Sequence, residues 1–360
     1  MIVAKFGGTS VADAAAINRV VDVVVSKQAN GPVVVVSALG GATNVLLDLA
    51  HKAAAGELLA ALQLVEQLRD RHLREVHALL NGAPEAEALV LEISASFDQL
   101  ARLAEAFRTL GYLTPRSLDT VAALGELLSS QIVAAAFRHR GYPAVWVDAR
   151  DIMKTNDFFT RAEPDVDAIA LAAQQYLLPL LQQGQIAVMG GFVGSAPGRV
   201  TTTLGRGGSD YTASLIGAAI GATAIEIWTD VDGMLTADPR VVPGAQLIER
   251  ISFDEAAELA AFGAKVLHPA TIAPAVQRGI PVFVFNSRKP DGKGTMIAFD
   301  APRLPVRAIA GKRGTCSWLL SATYGRLRTA KIETASRQRG WAPAGKSACR
   351  SASFPRRYFS

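Results

Sequence analysis

Ile2-Val3-Ala4-Lys5-Phe6-Gly7-Gly8-Thr9-Ser10 opens the chain. Pro32-Val33-Val34-Val35-Val36-Ser37, running into Ala38-Leu39-Gly40-Gly41-Ala42-Thr43-Asn44, repeats its plan. Each is a short apolar run that breaks at a glycine pair and continues into capping residues. Between them, Val11 to Lys27 carries Ile17, Val20, Val21 and Val24 at helical spacing, with Thr9-Ser10 as an N-cap candidate and Asp13 shortly after. The unbroken valine run suits a central parallel strand buried on both faces. Strand, glycine loop, helix, strand, glycine loop, helix predicts an α/β fold with a mainly parallel open sheet flanked by helices.

Further along, residues 46 to about 136 read as a helical insertion rich in Ala and Leu, with breaks near Gly56, at Gly82-Ala83-Pro84 and from Gly111 to Pro115. Strands are predicted again at Ala144–Val147, Ile186–Met189, Ile225–Trp228 and Val282–Phe285. Gly, Asp or Asn stands at or just past the carboxyl end of each. In open parallel sheets ligands bind outside those ends, so the chemistry is to be sought there.

Composition narrows the class. Half of the 360 residues are hydrophobic and only 19% are charged, which supports a substantial core and excludes a largely disordered chain. No run of about eighteen uncharged apolar residues is present, so no membrane partner is expected. Met1 leads straight into the first apolar run without a basic stretch, so a cleaved signal is not expected and a cytoplasmic location is. Two cysteines build no disulfide framework, and His51, His72, His77, His139 and His268 lack metal-ligand spacing. Neither a Gly-x-Ser-x-Gly elbow nor a Gly-x-Gly-x-x-Gly dinucleotide fingerprint occurs.

The formal charge of +5 invites a nucleic-acid reading, but it is unevenly held. Residues 301–360 contain thirteen of the 37 Lys and Arg and a single acid, Glu333. The first 300 residues therefore carry −7 and the last sixty +12. Basic residues and aromatics share that last stretch without a recognisable module or a helical basic stripe, so no nucleic-acid partner is expected.

Four stretches carry candidate chemistry. In Lys5 to Ser10, two glycines let backbone N–H groups approach an anion, with a lysine on the strand behind them. Taken alone, the same residues read equally as a tight strand-to-helix turn. In Thr201 to Thr212, Arg206 stands among Gly205, Gly207 and Gly208, followed by Ser209 and Asp210. Arginine so placed suits bidentate recognition of a carboxylate. Helix capping explains Ser209 or Asp210 but not the arginine. Trp228 to Arg240 offers Thr229, Asp230, Asp232 and Asp238 after a strand, either as a nucleotide loop or as a hairpin turn at Val231-Asp232-Gly233. Phe262 to Pro269, with Lys265 and His268, reads by itself as a helix C-terminus. Glu126 is an isolated acid in an apolar helical stretch, a costly position unless it reaches water or pairs with a cationic ligand.

Taken together, Lys5 to Ser10, Ser37 with Thr43-Asn44, Gly125-Glu126, Thr155-Asn156-Asp157, Gly191-Phe192, Thr201 to Asp210, Trp228 to Arg240 and Phe262 to Pro269 resemble the aspartate kinase (aspartokinase) family of the amino-acid-kinase superfamily. The likeness is nearest to the lysine-sensitive type and covers roughly residues 1–310. It implies transfer of the γ-phosphoryl group of ATP, with Mg2+, to the β-carboxylate of L-aspartate. It also implies roles. Lys5 and Asp210 are catalytic. Lys5, Gly7, Gly8, Thr229, Asp230, Leu235, Arg240, Lys265 and Val266 hold ATP. Ser37, Thr43, Glu126, Phe192, Arg206, Gly207, Gly208 and Ser209 hold aspartate, with Glu126 on the α-ammonium and Arg206 on a carboxylate. Leu235 departs from the pattern, because many relatives place an aromatic there. The opposing functional class is a kinase-fold protein that only binds a ligand or partner.

The resemblance implies a catalytic domain over 1–300, with 1–200 mainly binding the amino acid and 201–300 mainly the nucleotide. It implies a remnant linker over 301–314, and a homodimer weakened by loss of the family's paired regulatory domains. Residues 315–360 are Arg-, Ser-, Ala- and Gly-rich without clear period and are expected to be an irregular basic tail. Two origins are open for it: out-of-frame sequence after truncation, or a native disordered tail. Feedback inhibition by lysine or threonine is not expected.

Overall fold

The structure, a computed structural model, describes residues 1–261, 269–301, 308–311, 318–320 and 329–330. Strands β1 (Ile2–Phe6), β2 (Pro32–Val36), β3 (Ala144–Val147), β4 (Ile186–Gly190), β7 (Ala224–Thr229), β8 (Arg250–Ile251), β9 (Val282–Asn286) and β10 (Thr295–Ile297) form one sheet in the order β3-β4-β2-β1-β7-β9-β10-β8. Pairing is parallel from β3 through β9, and β10 turns antiparallel to β9. A hairpin of β5 (Val193–Ala196) and β6 (Val200–Thr203) stands apart from it.

Four long helices follow β2 directly or through the insertion: α2 (Ala42–Ala54), α3 (Leu58–Leu80), α4 (Pro84–Leu110) and α5 (Pro115–His139). Their boundaries fall at the predicted Gly and Pro breaks, because a left-handed Gly111 ends α4 and prolines start α4 and α5. α1 (Ala14–Val25) and the insertion cover one face of the sheet, where Phe6, Val34, Val36, Val188 and Trp228 are buried. The other face, with Val3, Val33, Val35, Ile225, Ile227 and Val282, is covered by the later helices. These are α6 (Ala149–Ile152), α7 (Val166–Tyr176), α8 (Leu178–Gln182), α9 (Gly208–Ile220), α10 (Phe253–Ala261) and α11 (Ala273–Gln277). Two apolar layers on one parallel sheet explain why its strands read as unbroken valine and isoleucine runs.

Among the described residues, α5 is the one helix long and apolar enough to cross a membrane, and it is mostly buried in the protein. It is a core helix.

The structure departs from the sequence reading in four places. Asp13, not Thr9 or Ser10, caps α1, its Oδ1 accepting from Ala16 N at 2.8 Å. Gly8–Val11 is a separate 3₁₀ turn, and the Ser10 hydroxyl is engaged by Ser287 and the Trp228 carbonyl. No two-residue hairpin forms at Val231–Gly233. Instead Met234 N donates to Thr295 Oγ1 at 2.8 Å, and Leu235 bridges to Leu247. Inside residues 315–360, the strands β12 (Trp318–Leu320) and β13 (Thr329–Ala330) continue a ladder from β11 (Ile309–Gly311). Ladders of two or three residues are too short for alternation to show in sequence.

Candidate active site

The parallel register places the ends of β1, β2 and β7 side by side: Phe6 pairs with Val36 on one flank and with Trp228 on the other. Their loops therefore leave the same edge of the sheet. Strand alternation turns Lys5 to the face opposite Phe6. There it is 8% exposed, and its Nζ lies 2.6 Å from Asp210 Oδ1 in the first turn of α9. A carboxylate in a first helical turn also meets the positive end of the helix dipole. The contact is a close ion pair at the edge of the cavity.

A cavity of about 310 Å³ opens around this pair. Ser37 and Thr43 reach it from the loop after β2, Glu126 from α5, and Phe192 from the turn after β4. Arg206, Gly207, Gly208 and Ser209 complete it from the loop that opens α9. Every predicted amino-acid-site residue thus lines one cavity with Lys5 and Asp210. Ser37 Oγ donates to Ser209 Oγ at 3.2 Å, and Ser129 Oγ donates to the Ser37 carbonyl at 2.8 Å, tying β2, α5 and α9 together. The approach is close enough to require glycine. A Cβ at Gly191 would lie 2.6 Å from Ser209 Cβ and 2.8 Å from its Cα.

Glu126 is 4% exposed, and its Oε2 has no hydrogen-bond partner among the described residues. Burial pushes its carboxyl up to about 8, against the downward pull of the Ala38 and Glu126 backbone and of the Lys5 charge. A buried carboxyl with an open lone pair facing a cavity is suited to receive a cation. Arg206 is exposed at the same cavity and has no carboxylate partner among the described residues. The cavity thus offers an acceptor for a cation and, separately, cationic donors for anions.

Two residues here were not assigned to the site from the sequence. Gly205, read there only as part of the glycine loop around Arg206, lines the cavity. Asp119, on α5, is 1% exposed and accepts from Thr160 N, Thr203 N and Thr203 Oγ1 at 2.7–3.0 Å. Burial nonetheless holds its carboxyl above the ordinary range. Its partners, two backbone N–H groups and one hydroxyl, come from residues 41 and 84 positions away in sequence, so no local signal marks it.

Of the predicted nucleotide residues Lys5 lines this cavity, whereas Gly7, Gly8, Thr229, Asp230, Leu235 and Arg240 do not. Gly7 N donates to the Trp228 carbonyl at 3.0 Å, which brings the first glycine loop beside Thr229 and Asp230 at the end of β7. Thr229 Oγ1 donates to Asp230 Oδ1 at 3.3 Å. At Gly8 a Cβ would lie 3.1 Å from the Ala38 carbonyl, so the two glycine loops touch backbone to backbone. Leu235 belongs to the bridge with Leu247. Arg240 is engaged by Asp238, its Nη2 2.7 Å from Oδ2, on an exposed turn. Lys265 and Val266 lie outside the described residues. The described residues hold no cluster of three His, Cys, Asp or Glu side chains fit to cage a metal ion.

Comparison with known proteins agrees with this architecture. The amino acid kinase family matches over residues 1–286. The lysine-sensitive aspartokinase 3 of Escherichia coli is 44% identical over 314 residues, 87% of this chain and 68% of that protein. The chloroplastic aspartokinase 2 of Arabidopsis thaliana is 35% identical over 89% of this chain and 59% of its own length. Among solved structures, E. coli aspartokinase III in complex with aspartate and ADP superposes with a TM-score of 0.77 at 42% identity, over 86% of this chain and 67% of that one. The aspartate kinase of Clostridium acetobutylicum does so at 0.69 and 27% identity, over 86% of this chain and 66% of that one. The chain belongs to the amino acid kinase family and, within it, to the aspartokinases, an enzyme family.

Proposed function

We propose that the protein transfers the γ-phosphoryl group of ATP to the β-carboxylate of L-aspartate, giving 4-phospho-L-aspartate, the first step toward lysine, threonine and methionine. The observation that carries this reading is the juxtaposition, in one cavity, of the Lys5–Asp210 pair, the Glu126 carboxyl, whose Oε2 has no hydrogen-bond partner among the described residues, and Arg206, which has no carboxylate partner among them. Glu126 takes the α-ammonium and Arg206 a carboxylate. Lys5 and the N–H group of Gly8 face the transferring phosphoryl group, the Gly7 N–H expected there being taken up by the Trp228 carbonyl, and Thr229, Asp230, Leu235, Arg240, Lys265 and Val266 form the nucleotide side. In this assignment residues 1–200 serve mainly the amino acid and 201–300 mainly the nucleotide, although the Arg206 loop crosses that line.

A substrate carboxylate with a pKa of about 4 is already ionised at neutral pH and needs no general base. The protein's task is to bring two anions into line and to neutralise the charge on the transferring group. Lys5 supplies fixed positive charge there. Asp210 orients Lys5 and does not accept a proton. Mg2+ favours hard oxygen donors and is usually held by one or two carboxylates together with substrate phosphates. A carboxylate at the cavity suits that arrangement, and Asp210 is the residue that would hold the ion. When bound, the ion supplies further neutralisation of phosphate charge. The reading includes a cytoplasmic homodimer that needs neither nucleic acid nor membrane.

A coupled assay of the full chain with ATP and L-aspartate, with glutamate and N-acetylglutamate as controls, tests it. Turnover of aspartate well above both controls is expected. Absence of aspartate turnover in folded protein would leave only a ligand-binding role.

A further inference from the structure

We propose that Asp119 is a positioning residue: by pinning Thr160 and Thr203 it holds the Arg206 loop against the helix that carries Glu126, so that the two charges clasping the amino acid keep a fixed separation. The proposal rests on reading the cavity as the amino-acid site. Asp119 and Glu126 are seven residues apart on α5, which places them on one face of the helix about 10 Å apart along its axis. One helix therefore carries both the acceptor for the substrate ammonium and the anchor for the loop that bears the guanidinium.

The anchor is built from four contacts to one buried carboxylate. Thr203 donates through its Oγ1 to Oδ1 at 2.7 Å and through its N–H to Oδ2 at 3.0 Å. Thr160 N lies 3.0 and 2.9 Å from Oδ1 and Oδ2. Thr203 is the last residue of β6, three positions before Arg206. Leu204 N then donates to the Phe192 carbonyl at 2.9 Å, so the loop is tied to a second cavity residue immediately after the anchor. Thr160 supports the loop from the other side: its carbonyl is the nearest atom to a Cβ built on Gly205, at 3.2 Å. Between them, Ala162 N donates to the Thr203 carbonyl at 2.8 Å. Residues 160–162 and 203–205 form one clamp, and Asp119 closes it.

Thr160 shows that the clamp is held under strain. Its φ is +70°, a left-handed conformation that a β-branched residue rarely adopts, and it persists only where the surroundings enforce it. The Asp119 carboxylate is what receives its N–H in that conformation. A buried carboxylate is an expensive way to satisfy two backbone N–H groups and a hydroxyl. Its use here fits a geometric requirement on the loop better than a need for stability.

Steady-state kinetics of the full-length protein and of the variants Asp119→Asn and Thr203→Val decide the matter. Asp119→Asn keeps the shape but loses a charged acceptor. It is expected to raise KM for aspartate by about 10-fold or more, as loss of hydrogen bonds to a charge does, while KM for ATP stays within about twofold. Thr203→Val removes one donor without changing volume and is expected to move KM for aspartate in the same direction by about threefold or more. If Asp119→Asn does not fold, Thr203→Val carries the test. The proposal is overturned if KM for aspartate is unchanged in the folded variants, or if KM for aspartate and KM for ATP rise together while kcat falls. Failure of the unmodified protein to turn over aspartate would instead remove the reading on which the proposal rests, and the proposal with it.

Discussion

The Lys5 ammonium and the Asp210 carboxylate join the middle strand of the sheet to the first turn of α9 across 2.6 Å, at the edge of the cavity. The pair sits where three loops meet, so its loss should be felt in the chemistry more than in the fold. Lys5→Met keeps most of the packing of the lysine stem and removes its charge. Its kcat is expected to fall by about 10²–10³, the usual effect of removing one preorganised donor to a developing charge. The far-UV circular dichroism spectrum should be unchanged. Near-normal turnover in a folded variant would sink the assignment of Lys5.

Glu126 is a stability liability with a sign that can be worked out. Its ordinary value of 4.5 rises to about 8 in the folded protein. Between those two values the unfolded chain has lost the proton that the folded protein still holds. Stability therefore falls as pH rises from about 4.5 to 8, by an amount on the order of 4 kcal/mol. Glu126→Gln carries no such penalty. Thermal melts at pH 5 and pH 8.5 should show the variant gaining on the parent with rising pH, while its turnover of aspartate collapses. A pH-independent difference in melting temperature would count against the buried, unpaired carboxyl.

His72 produces the opposite slope. It is buried between α3 and α4, with Nδ1 2.7 Å from the Leu68 carbonyl, its ring edge-on to Phe97, and Nε2 without a partner among the described residues. Burial, aided by the nearby Arg71 charge, lowers it from 6.5 to about 4. Below pH 6.5 the unfolded chain takes up a proton that the folded protein refuses, so stability is lost as pH falls toward 4, by about 3 kcal/mol. In acid melts between pH 7 and pH 4.5, His72→Leu should lose less melting temperature than the parent. Equal acid sensitivity of the two would show that His72 is not held neutral.

These residues also show where the sequence was readable. Valine runs between two apolar layers, glycine pairs at strand ends, and Gly or Pro breaks in the insertion act locally, so they can be read without knowing the partners. Most of the cavity residues were legible for the same reason: Ser37, Thr43, Phe192 and Arg206 to Ser209 sit just beyond strand ends or at a helix start, while Glu126 stood out as a lone acid in an apolar stretch in the middle of α5. What depends on pairing at a distance was hidden. β5 and β6 are short and rich in Thr, Ser and Gly, while β8 and β10 are two- and three-residue edge pieces. Asp119 looks like any acid near a helix start until Thr160 and Thr203 arrive from other parts of the chain. Arg240 is the reverse case, prominent in sequence yet engaged by Asp238 on an exposed turn.

The fit between Gly191 and Ser209 sets a steric limit on the cavity. Gly191 has ordinary backbone angles, so alanine is not barred by conformation. Its Cβ would nevertheless meet the Ser209 backbone at 2.8 Å, which a side-chain rotation cannot relieve. α9 must then shift, carrying Ser209 and Asp210 with it. Gly191→Ala is expected to cost about 1–3 kcal/mol of stability through overpacking, and to lower kcat/KM for aspartate by at least about 10-fold. Gly244→Ala, where nothing lies within 4 Å of the added carbon, is the control and should leave both unchanged. An active Gly191→Ala would mean that the first turn of α9 is free to move without consequence.

Binding of the amino acid should displace a proton. With its carboxyl near 8, Glu126 is largely protonated at pH 7 in the free protein. If it receives an ammonium group, the ionised form is favoured and its pKa falls below the working pH. Close to one proton should therefore leave for each aspartate bound at pH 7, and far less at pH 9. Isothermal titration in buffers of different ionisation enthalpy reads this directly, and Glu126→Gln should abolish the buffer dependence. Binding with no buffer dependence at pH 7 would mean that the ammonium is received elsewhere, and would detach Glu126 from the substrate.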